Sequence, residues 1–311
     1  MNLSQRQLQL FTTTAETLNL SRASERVHLS QPALSRALQA LEAQLGVTLF
    51  HRSTRHIELS ADGRRFLPHA KRLLEDLQQA VAELRGREAG VSGRVHLMVG
   101  TAFGCSVLPQ ALRLLSERHP AVKVQLTDAN SGAITSAAVA GDVDLGIGSV
   151  VGPAPGLQLQ PLLSAALGLV WNRAVHRVPK RPTPRGAAGL PLIKESEDTS
   201  IMQLLRAHGS PWAQTMEGGV ETSSLALQLA LVQAGLGISV ISALGASHPQ
   251  AAGLGFAPFT PAIERHVQLM WRRDRPLRPA ARALAQALQD ALAQPLGLHR
   301  RVRAAGPELS G

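Results

Sequence analysis

The chain has one cysteine, Cys105, no tyrosine, and only 3% aromatic residues among its 311 positions. A single thiol excludes an intrachain disulfide framework and a cysteine metal cluster, and it fits a reducing compartment. The scarcity of aromatic rings argues against a protein that stacks the bases of single-stranded nucleic acid. The sequence also lacks a signal peptide and an apolar run long enough to span a bilayer. We therefore expect a cytoplasmic protein with no membrane partner.

Positive charge is the strongest compositional feature that is present. The formal net charge is +10 and the isoelectric point is about 11.2, which favours a polyanionic partner. A biased base composition of the genome also produces an arginine-rich protein, so charge alone is weak evidence for a nucleic-acid partner. Hydrophobic residues make up 44% of the chain, and its length allows two or three domains with real cores.

A pair of short helices joined by a tight turn is predicted near the N-terminus, after a first helix that begins at Ser4. Ser21 is the candidate cap of the second helix. Ser30 caps the third helix, with Pro32 in its first turn, where a missing N–H costs nothing. A basic loop or short hairpin follows at residues 51–56. Such an arrangement places one helix in a DNA groove and the loop on the adjacent backbone.

A longer helix is predicted over residues 61–86, with Pro68 expected to kink its first turns. Its apolar residues recur at alternating steps of four and three, which is a heptad seam. The members of this seam are Phe66, Ala70, Leu73, Leu77, Ala80 and Leu84. One interpretation is a helix that packs on its own domain. The regularity of the seam favours the other, which is pairing with a second copy of the chain.

The remainder of the chain follows a glycine-containing linker at residues 86–93. Short β-rich runs then alternate with helices, and this alternation predicts a parallel sheet with both faces covered. A closing helix is predicted over residues 279–292. Residues 297–311 are expected to be a disordered tail.

The N-terminal third resembles the LysR-type transcriptional regulators. The matching residues are Ala23, Leu29-Ser30-Gln31-Pro32-Ala33-Leu34-Ser35-Arg36, Leu41-Glu42, Leu45-Gly46, Leu49-Phe50, Arg52, Leu59 and Gly63. The later part resembles the effector domain of this family less sharply, through Leu108-Pro109, Pro120, Val122, residues 141–145 and residues 235–238. Two positions depart from the family pattern, Arg22 after Ser21 and Ser60 before the long helix.

The resemblance implies an α/β fold with an N-terminal winged helix-turn-helix, a long linker helix, and a two-lobed effector domain like periplasmic binding proteins. We place the winged domain at residues 1–60, the linker helix and hinge at 61–90, and the effector domain at 91–296. Its lobe 1 spans residues 91–163 and 267–296, and its lobe 2 spans 164–266. The crossovers lie near Leu163-Ser164 and near Arg265-Val267. Dimers through the long helix, and tetramers through the effector domains, are also implied.

The expected DNA contacts are on the third helix and in the basic loop. They are Gln31, Pro32, Ser35, Arg36, Arg52 and Arg55. Glutamine can bind adenine at two points, and arginine can bind guanine or a phosphate. The alternative for each residue is an ordinary exposed polar side chain.

The expected effector pocket lies between the lobes, where strand ends meet helix N-termini and backbone N–H groups favour anions and hydroxylated ligands. The residues at those junctions are Thr101, Phe103, Ser131, Ser149, Ser200 and Thr222. Simple helix capping is an equally good interpretation of each hydroxyl. No cationic residue stands out among them, so an anionic ligand would depend on hydroxyls and amides. We expect a small-molecule effector of unidentified chemistry and no other cofactor.

Other functional classes find little support. Cys105 follows a strand end near the pocket; a structural thiol is favoured over a redox sensor because there is no resolving cysteine. The histidines show no metal-ligand spacing. An enzyme on a doubly wound fold needs a nucleophile or base with partners, and no Gly-x-Ser-x-Gly, P-loop or complete dinucleotide motif is present. A solute-binding protein would need a signal peptide.

The sequence therefore predicts a ligand-responsive, sequence-specific DNA-binding transcriptional regulator and not an enzyme. It would bind interrupted palindromic operators as a dimer or tetramer. Its expected partners are double-stranded DNA, a small effector, further copies of itself, and RNA polymerase.

Overall fold

The computed structural model describes residues 3–52, 57–84, 91–187, 189–215 and 219–305. The chain forms two compact units, 1–89 and 90–311. In the first unit the helices are α1 Gln5–Thr17, α2 Leu20–Arg26, α3 Gln31–Leu45 and α4 Ala61–Leu84, and the strands are β1 Phe50–Arg52 and β2 Ile57–Leu59.

The helices of the first unit begin at side-chain caps. The Ser4 hydroxyl accepts from the Gln7 N–H at 3.2 Å, and the Gln7 side chain accepts from the Ser4 N–H at 2.9 Å. The Ser30 hydroxyl accepts from the N–H of Ala33, as predicted for α3. The predicted cap of α2 was wrong: Asn19 Oδ1 accepts from the Arg22 N–H at 3.0 Å. Asparagine caps as well as serine, so α2 begins before Ser21.

The β1–β2 hairpin is attached to the end of α3 and to the start of α4. The Glu42 carboxylate accepts from the N–H groups of Leu49 and Phe50 at 2.8 and 3.0 Å. The Ser60 hydroxyl accepts from the Gly63 N–H at 2.9 Å, so it caps α4. These bonds hold the hairpin in a defined position beside α3.

Gly63 is required by close contact. A Cβ atom at this position would lie 2.1 Å from the Leu49 carbonyl oxygen and 2.9 Å from Leu59 Cδ2. Gly63→Ala is therefore expected to lower the unfolding free energy of the first unit by about 1–3 kcal/mol or more, because the hairpin must move away. Urea denaturation followed by far-UV circular dichroism measures this change.

The same variant contains an internal control. All three tryptophans, Trp171, Trp212 and Trp271, lie in the second unit, so tryptophan fluorescence reports that unit alone. The fluorescence transition of Gly63→Ala should match that of the unsubstituted protein. An unchanged dichroism transition would contradict the assigned contact.

The heptad seam on α4 divides into two parts. Phe66 and Ala70 pack in the core of their own unit, where the Phe66 ring centroid lies 5.1 Å from that of Phe11 and Ala70 is fully buried. The first turns of α4 therefore cover Phe11 within the unit, and the role of Phe66 and Ala70 in dimerisation stays a prediction. Leu73 and Leu77 are 51% and 42% exposed. The side chains of Ala80 and Leu84 lie outside the described residues, and α4 continues through Pro68.

The second unit combines helices with one large sheet. Its helices are α5 Thr101–Ser106, α6 Leu108–Arg118, α7 Ser131–Ala140, α8 Pro184–Ala187, α9 Ser200–Ala207, α10 Pro211–Thr215, α11 Leu225–Gln233 and α12 Pro279–Leu292. Its strands are β3 Gly93–Val99, β4 Val122–Asp128, β5 Leu145–Gly148, β6 Leu157–Trp171, β7 Leu192–Glu195, β8 Val220–Thr222, β9 Ile238–Ser242, β10 Gly255–Pro258, β11 Glu264–Arg272 and β12 Val302–Ala304.

The sheet runs in the order β4-β3-β5-β11-β6-β9-β7-β8, and β10 and β12 also pair with β6. The pairs β3–β4, β3–β5, β7–β8 and β7–β9 are parallel, as the strand–helix alternation predicted. The centre is different, since β6 and β11 run antiparallel to their neighbours. The sheet is therefore mixed. One of the two central strands, β6, carries the chain from lobe 1 to lobe 2, and the other, β11, carries it back, so they run antiparallel to each other.

Two strands are shared between the lobes. The first part of β6 pairs with β11, and its later residues 167–170 pair with β9 in lobe 2. The predicted crossover residues Leu163 and Ser164 lie within β6. Arg265 lies near the start of β11, which has a register shift between Val267 and Gln268. The shared strands carry the chain past the space between the lobes.

The predicted disordered tail is partly ordered. Val302 pairs with Ala165 of β6 as part of β12, and Leu298 packs against the core of lobe 1. The prediction was wrong for residues 297–305, because these apolar side chains cover the core and β12 satisfies backbone groups of β6. Residues 306–311 lie outside the described part of the chain.

Candidate DNA interface and ligand cavity

The first candidate site is the outer face of α3. Leu34, Leu38 and Leu41 are buried, so the helical repeat turns the opposite face outward. Gln31, Pro32 and Arg36 are exposed, Ser35 is half-buried, and all four lie in the first two turns of α3. Amide, hydroxyl and guanidinium groups at the N-terminal end of an exposed helix are the groups that base edges and phosphates require.

The β1–β2 hairpin provides the adjoining wing. His51 pairs with Glu58, and the backbone of Arg52 pairs with Ile57. The side chain of Arg52, and Arg55 as a whole, lie outside the described residues. The two strands bring the chain back beside α3.

The second candidate site is a cavity of about 260 Å³ in the second unit. It is lined by residues of both lobes and of β11. Among the predicted effector residues, Thr101, Phe103, Ser131 and Ser200 line it, whereas Ser149 and Thr222 do not. The structure thus brings four of the six predicted residues to one cavity.

Three helices direct their N-termini toward this cavity. Asn130, Thr199 and Ser224 cap α7, α9 and α11 and line the cavity themselves. Each cap satisfies one N–H of its helix, and the other first-turn N–H groups have no acceptor within the helix. Helix N-termini carry partial positive charge, so the cavity favours an anionic group.

Arg265 is the cation of the cavity. It is partly buried, its Nε donates to the Ser200 hydroxyl at 3.1 Å, and its Nη2 donates to the Ser131 hydroxyl at 3.2 Å. Since Ser131 begins α7 in lobe 1 and Ser200 begins α9 in lobe 2, Arg265 connects the two lobes. Burial lowers the pKa of Arg265 and the Glu195 carboxylate opposes that shift, but an arginine side chain stays charged in proteins.

Glu195 is the buried acid of the cavity. It ends β7, its side chain is only 5% exposed, and among the described residues its Oε2 has no hydrogen-bond partner. Burial raises the pKa of Glu195 to about 7, against the opposing effect of the Thr199 and Gln228 side chains. A buried carboxylate with an unpaired oxygen is costly unless a donor reaches it.

The cavity also has an exposed acid, Asp128, at the end of β4. The Thr101 hydroxyl lies 2.9 and 3.0 Å from the two carboxylate oxygens of Asp128. Asn130 Nδ2 donates to Asp198 Oδ2 at 2.8 Å, a second hydrogen bond between the lobes. Asp128 is therefore exposed and paired, in contrast to Glu195.

Comparison with known proteins covers both units. Residues 5–64 match the family described as "Bacterial regulatory helix-turn-helix protein, lysR family", and residues 88–293 match "LysR substrate binding domain". The chain belongs to the LysR family. It is a LysR-type DNA-binding transcriptional regulator with an effector-binding domain, which confirms the predicted family and fold.

One curated relative and two solved structures illustrate this similarity. The regulator is 29% identical over 294 residues to "Uncharacterized HTH-type transcriptional regulator YfeR" of Shigella flexneri, covering 93% of this chain and 94% of that protein. A full-length OxyR variant of Pseudomonas aeruginosa has a TM-score of 0.70 at 23% identity, covering 99% of this chain and all of that one. Full-length CbnR with its target DNA has a TM-score of 0.62 at 23% identity, covering 93% and 100%.

Two hydroxyls of this LysR-type regulator have structural partners instead of facing the cavity. Ser149 is buried, and its hydroxyl donates to the His266 carbonyl at 2.6 Å. The Thr222 hydroxyl accepts from the Ser224 N–H at 3.1 Å in the turn before α11. Both were expected at the pocket because they lie at strand ends, but their hydroxyls bind backbone groups: Ser149 binds the neighbouring strand β11, and Thr222 binds the turn before α11.

Three charged residues of the cavity lining, Asp128, Glu195 and Arg265, were missed. Arg265 was assigned only as a crossover position, and Glu195 lies two residues after the strand predicted at Leu192-Ile193. An ionisable residue next to a predicted crossover or at the end of a buried strand was the available signal. The expectation that no cation serves the pocket was wrong, because the crossover strand carries Arg265 into it.

Cys105 is an exposed free thiol on α5, and the preference for a structural thiol over a redox sensor stays a prediction. Partial burial and the Asp128 carboxylate raise the pKa of its thiol, which disfavours the reactive thiolate. Among the helices that the structure describes, none is long and apolar enough to cross a membrane.

The raised pKa of Glu195 makes a prediction about stability and pH. The ordinary pKa is 4.5 and the folded value is about 7, so the unfolded chain ionises first as pH rises. The unfolding free energy should therefore fall between these pH values by about 3 kcal/mol. Glu195→Gln has no carboxyl group at this position, so its unfolding free energy does not fall in this way. The unfolding free energy of the variant minus that of the unsubstituted protein should therefore be larger at pH 8 than at pH 5.

Urea denaturation followed by tryptophan fluorescence at both pH values measures this difference. The groups that act on Glu195 are Arg265, Asp198, Thr199 and Gln228, and all are retained in the variant. Glu197→Gln removes the same charge at a surface position paired with Lys194 and Arg206, so it serves as the control. Equal pH profiles for both variants would contradict the assignment.

Proposed function

We propose that this regulator binds an interrupted palindromic operator by inserting α3 of each copy in the major groove, with the wing on the adjacent backbone. The exposed N-terminal half of α3, with Gln31, Ser35 and Arg36, supports this proposal. Two copies related by a two-fold axis would read half-sites on successive turns. CbnR, which has a similar fold, was crystallised with its target DNA.

The stripe on α4 supports self-association. Leu73, Leu77 and Val81 recur every four residues and are 51%, 42% and 37% exposed. Residues four apart share a helix face, so the stripe suits a second α4 in a coiled coil. We extend the proposal to tetramers through the effector-binding domains and to RNA polymerase as the regulated target, as the family resemblance implies.

The cavity between the lobes is the proposed effector site, and one observation carries this assignment. Arg265 is a partly buried cation that reaches hydroxyls on both lobes, beside three helix N-termini. A small ligand with a carboxylate would accept from Arg265 and from these N–H groups. It would thereby compete for the hydrogen bonds that Arg265 makes to Ser131 and Ser200.

Such a ligand changes regulation only if it prefers one arrangement of the lobes, since equal affinity for both arrangements shifts no population. Arg265 is suited to transmit that preference because its guanidinium binds α7 in lobe 1 and α9 in lobe 2. Rearranged lobes would alter how neighbouring effector-binding domains pack, and so the spacing of the DNA-binding units.

Arg265→Met is expected to retain operator binding and to lose the response to the effector. The intergenic region beside the gene serves as the DNA probe, and footprinting in the presence of small carboxylates measures the response. Ser200→Ala keeps the charge and removes one Arg265 partner, so it should weaken the response without abolishing it. Arg206→Met removes a surface arginine of the same lobe that is paired with Glu197, and is the control.

The cavity is not the effector site if Arg265→Met responds at the same ligand concentration as the unsubstituted protein. Tryptophan fluorescence and circular dichroism of each variant check that the second unit remains folded. If Arg265→Met fails this check, the Ser200→Ala titration decides: a normal response there would also reject the site.

A further inference from the structure

We propose that the effector is a small zwitterion of the amino-acid class, with its carboxylate at Arg265 and its ammonium group at Glu195. This inference rests on the proposed effector site and names the chemistry of its ligand. Two charged side chains of opposite sign line one cavity and come from different strands: Glu195 ends β7, and Arg265 lies on β11.

The carboxylate half of the ligand follows from the donors. Arg265 presents a guanidinium whose present partners are neutral hydroxyls, and a carboxylate is a stronger acceptor than either. The first turns of α7, α9 and α11 add backbone N–H groups that point toward the same space. A ligand without a carboxylate would leave these donors without an ionised acceptor.

The ammonium half follows from Glu195. Its Oε2 is buried and has no hydrogen-bond partner among the described residues, although the side chain is only 5% exposed and lines the cavity. A donor on the ligand would satisfy this oxygen, and an ammonium group would also neutralise the carboxylate. Asp128 is less suited to this role because it is exposed and already accepts from Thr101.

The charge of the cavity lining excludes a simpler ligand. Among the residues that the structure describes, the ionisable side chains of the lining are two carboxylates, Asp128 and Glu195, and one guanidinium, Arg265. A dicarboxylate would add two negative charges to this excess of acid, whereas a zwitterion adds none. The apolar part of the lining, Phe103, Ile147, Leu225, Ile241 and Val267, suits a small aliphatic side chain.

The protonation state of Glu195 provides an independent readout. Burial raises the pKa of Glu195 to about 7, so the carboxyl is about half protonated at neutral pH without ligand. An adjacent ammonium group favours the ionised form and lowers that pKa. Binding of the zwitterion at pH 7 should therefore release about half a proton from Glu195. Arg265, Asp198, Thr199 and Gln228 also act on this carboxyl.

Isothermal titration calorimetry of the full-length protein tests the proposal, with the twenty standard L-amino acids as probes. For the tightest binder, two truncated probes of the same carbon skeleton follow: the carboxylic acid without the amino group, and the amine without the carboxylate. We expect each truncated probe to bind at least tenfold more weakly than the amino acid. Titrations in buffers of different ionisation enthalpy measure the released proton.

Two variants assign the groups to their ends of the ligand. Glu195→Gln should lower the affinity for the amino acid at least tenfold and abolish proton release, and it should leave the affinity for the des-amino acid unchanged. Arg265→Met should lower the affinity for the amino acid and for the des-amino acid to the same extent. Glu197→Gln, outside the cavity lining, should bind all three probes as the unsubstituted protein does.

The outcomes separate this inference from the proposed function. One outcome is that succinate or other carboxylates without an amino group are the only probes whose binding depends on Arg265. In that case the proposed zwitterionic ligand is wrong, and the proposed effector site stands. If Asp128→Asn lowers the affinity for the amino acid and Glu195→Gln does not, the placement of the ammonium group at Glu195 is wrong. If an amino acid binds Glu195→Gln and Arg265→Met as tightly as it binds the unsubstituted protein, the cavity is not the site and both proposals fail. Absence of binding by every amino acid rejects the ligand class.

Discussion

Leu77→Glu is expected to convert the regulator to monomers at micromolar concentration. Leu77 is 42% exposed on α4, between Leu73 and Val81 on the same stripe. In a pair of α4 helices the glutamate of each copy would be buried without a partner, which costs several kcal/mol per dimer. Because each 1.4 kcal/mol is a factor of ten, self-association should weaken by more than about a hundredfold. Sedimentation equilibrium measures the change.

Operator affinity should fall together with dimerisation, because a monomer contacts one half-site only. Gln78→Glu adds the same charge at an exposed neighbouring position off the stripe, so it should sediment and bind as the unsubstituted protein does. The assignment of the stripe to the dimer fails if Leu77→Glu sediments like the unsubstituted protein, or if both variants dissociate to the same extent.

Arg36→Ala is expected to remove most of the preference for the operator over unrelated DNA. Arg36 is exposed in the second turn of α3, and a guanidinium bound to a base edge contributes roughly 1–3 kcal/mol of discrimination. That energy corresponds to about a tenfold to hundredfold loss in specific affinity. Gel-shift titrations with the operator and with a scrambled duplex of equal length measure both affinities.

The scrambled duplex separates two kinds of contact. A base contact affects the operator alone, whereas a phosphate contact weakens both duplexes alike and reduces the salt dependence. Arg113→Ala removes an exposed arginine of the second unit that is paired with Glu117, and it should leave both affinities unchanged. Unchanged operator affinity in Arg36→Ala would show that this side chain makes no base contact.

Local signals in the sequence predicted most of the α3 surface. Ser30 and Pro32 mark the beginning of α3, and the spacing of its leucines determines which side is buried. Both signals act within one or two helical turns, so tertiary contacts do not alter them. The start of α2 shows the limit of such signals, since Asn19 and Ser21 are both good caps and the chain uses Asn19.

The α4 seam shows a different limit. A heptad pattern states that one face of a helix is apolar, and it does not state which surface covers that face. Phe66 and Ala70 pack against Phe11 within the unit, whereas Leu73 and Leu77 remain exposed. The boundary between these two parts depends on how far the small N-terminal core extends along α4.

The order of elements, the helix caps and the family resemblance were determined by the sequence itself, because each depends on neighbouring residues or on a dense local motif. The chemistry of the cavity was decided only by the tertiary structure. Glu195 and Arg265 are separated by 70 positions of chain and come together because the end of β7 and the start of β11 both lie at the space between the lobes. Their charges are informative only in that setting, where burial makes an unpaired acid costly and requires a partner for it.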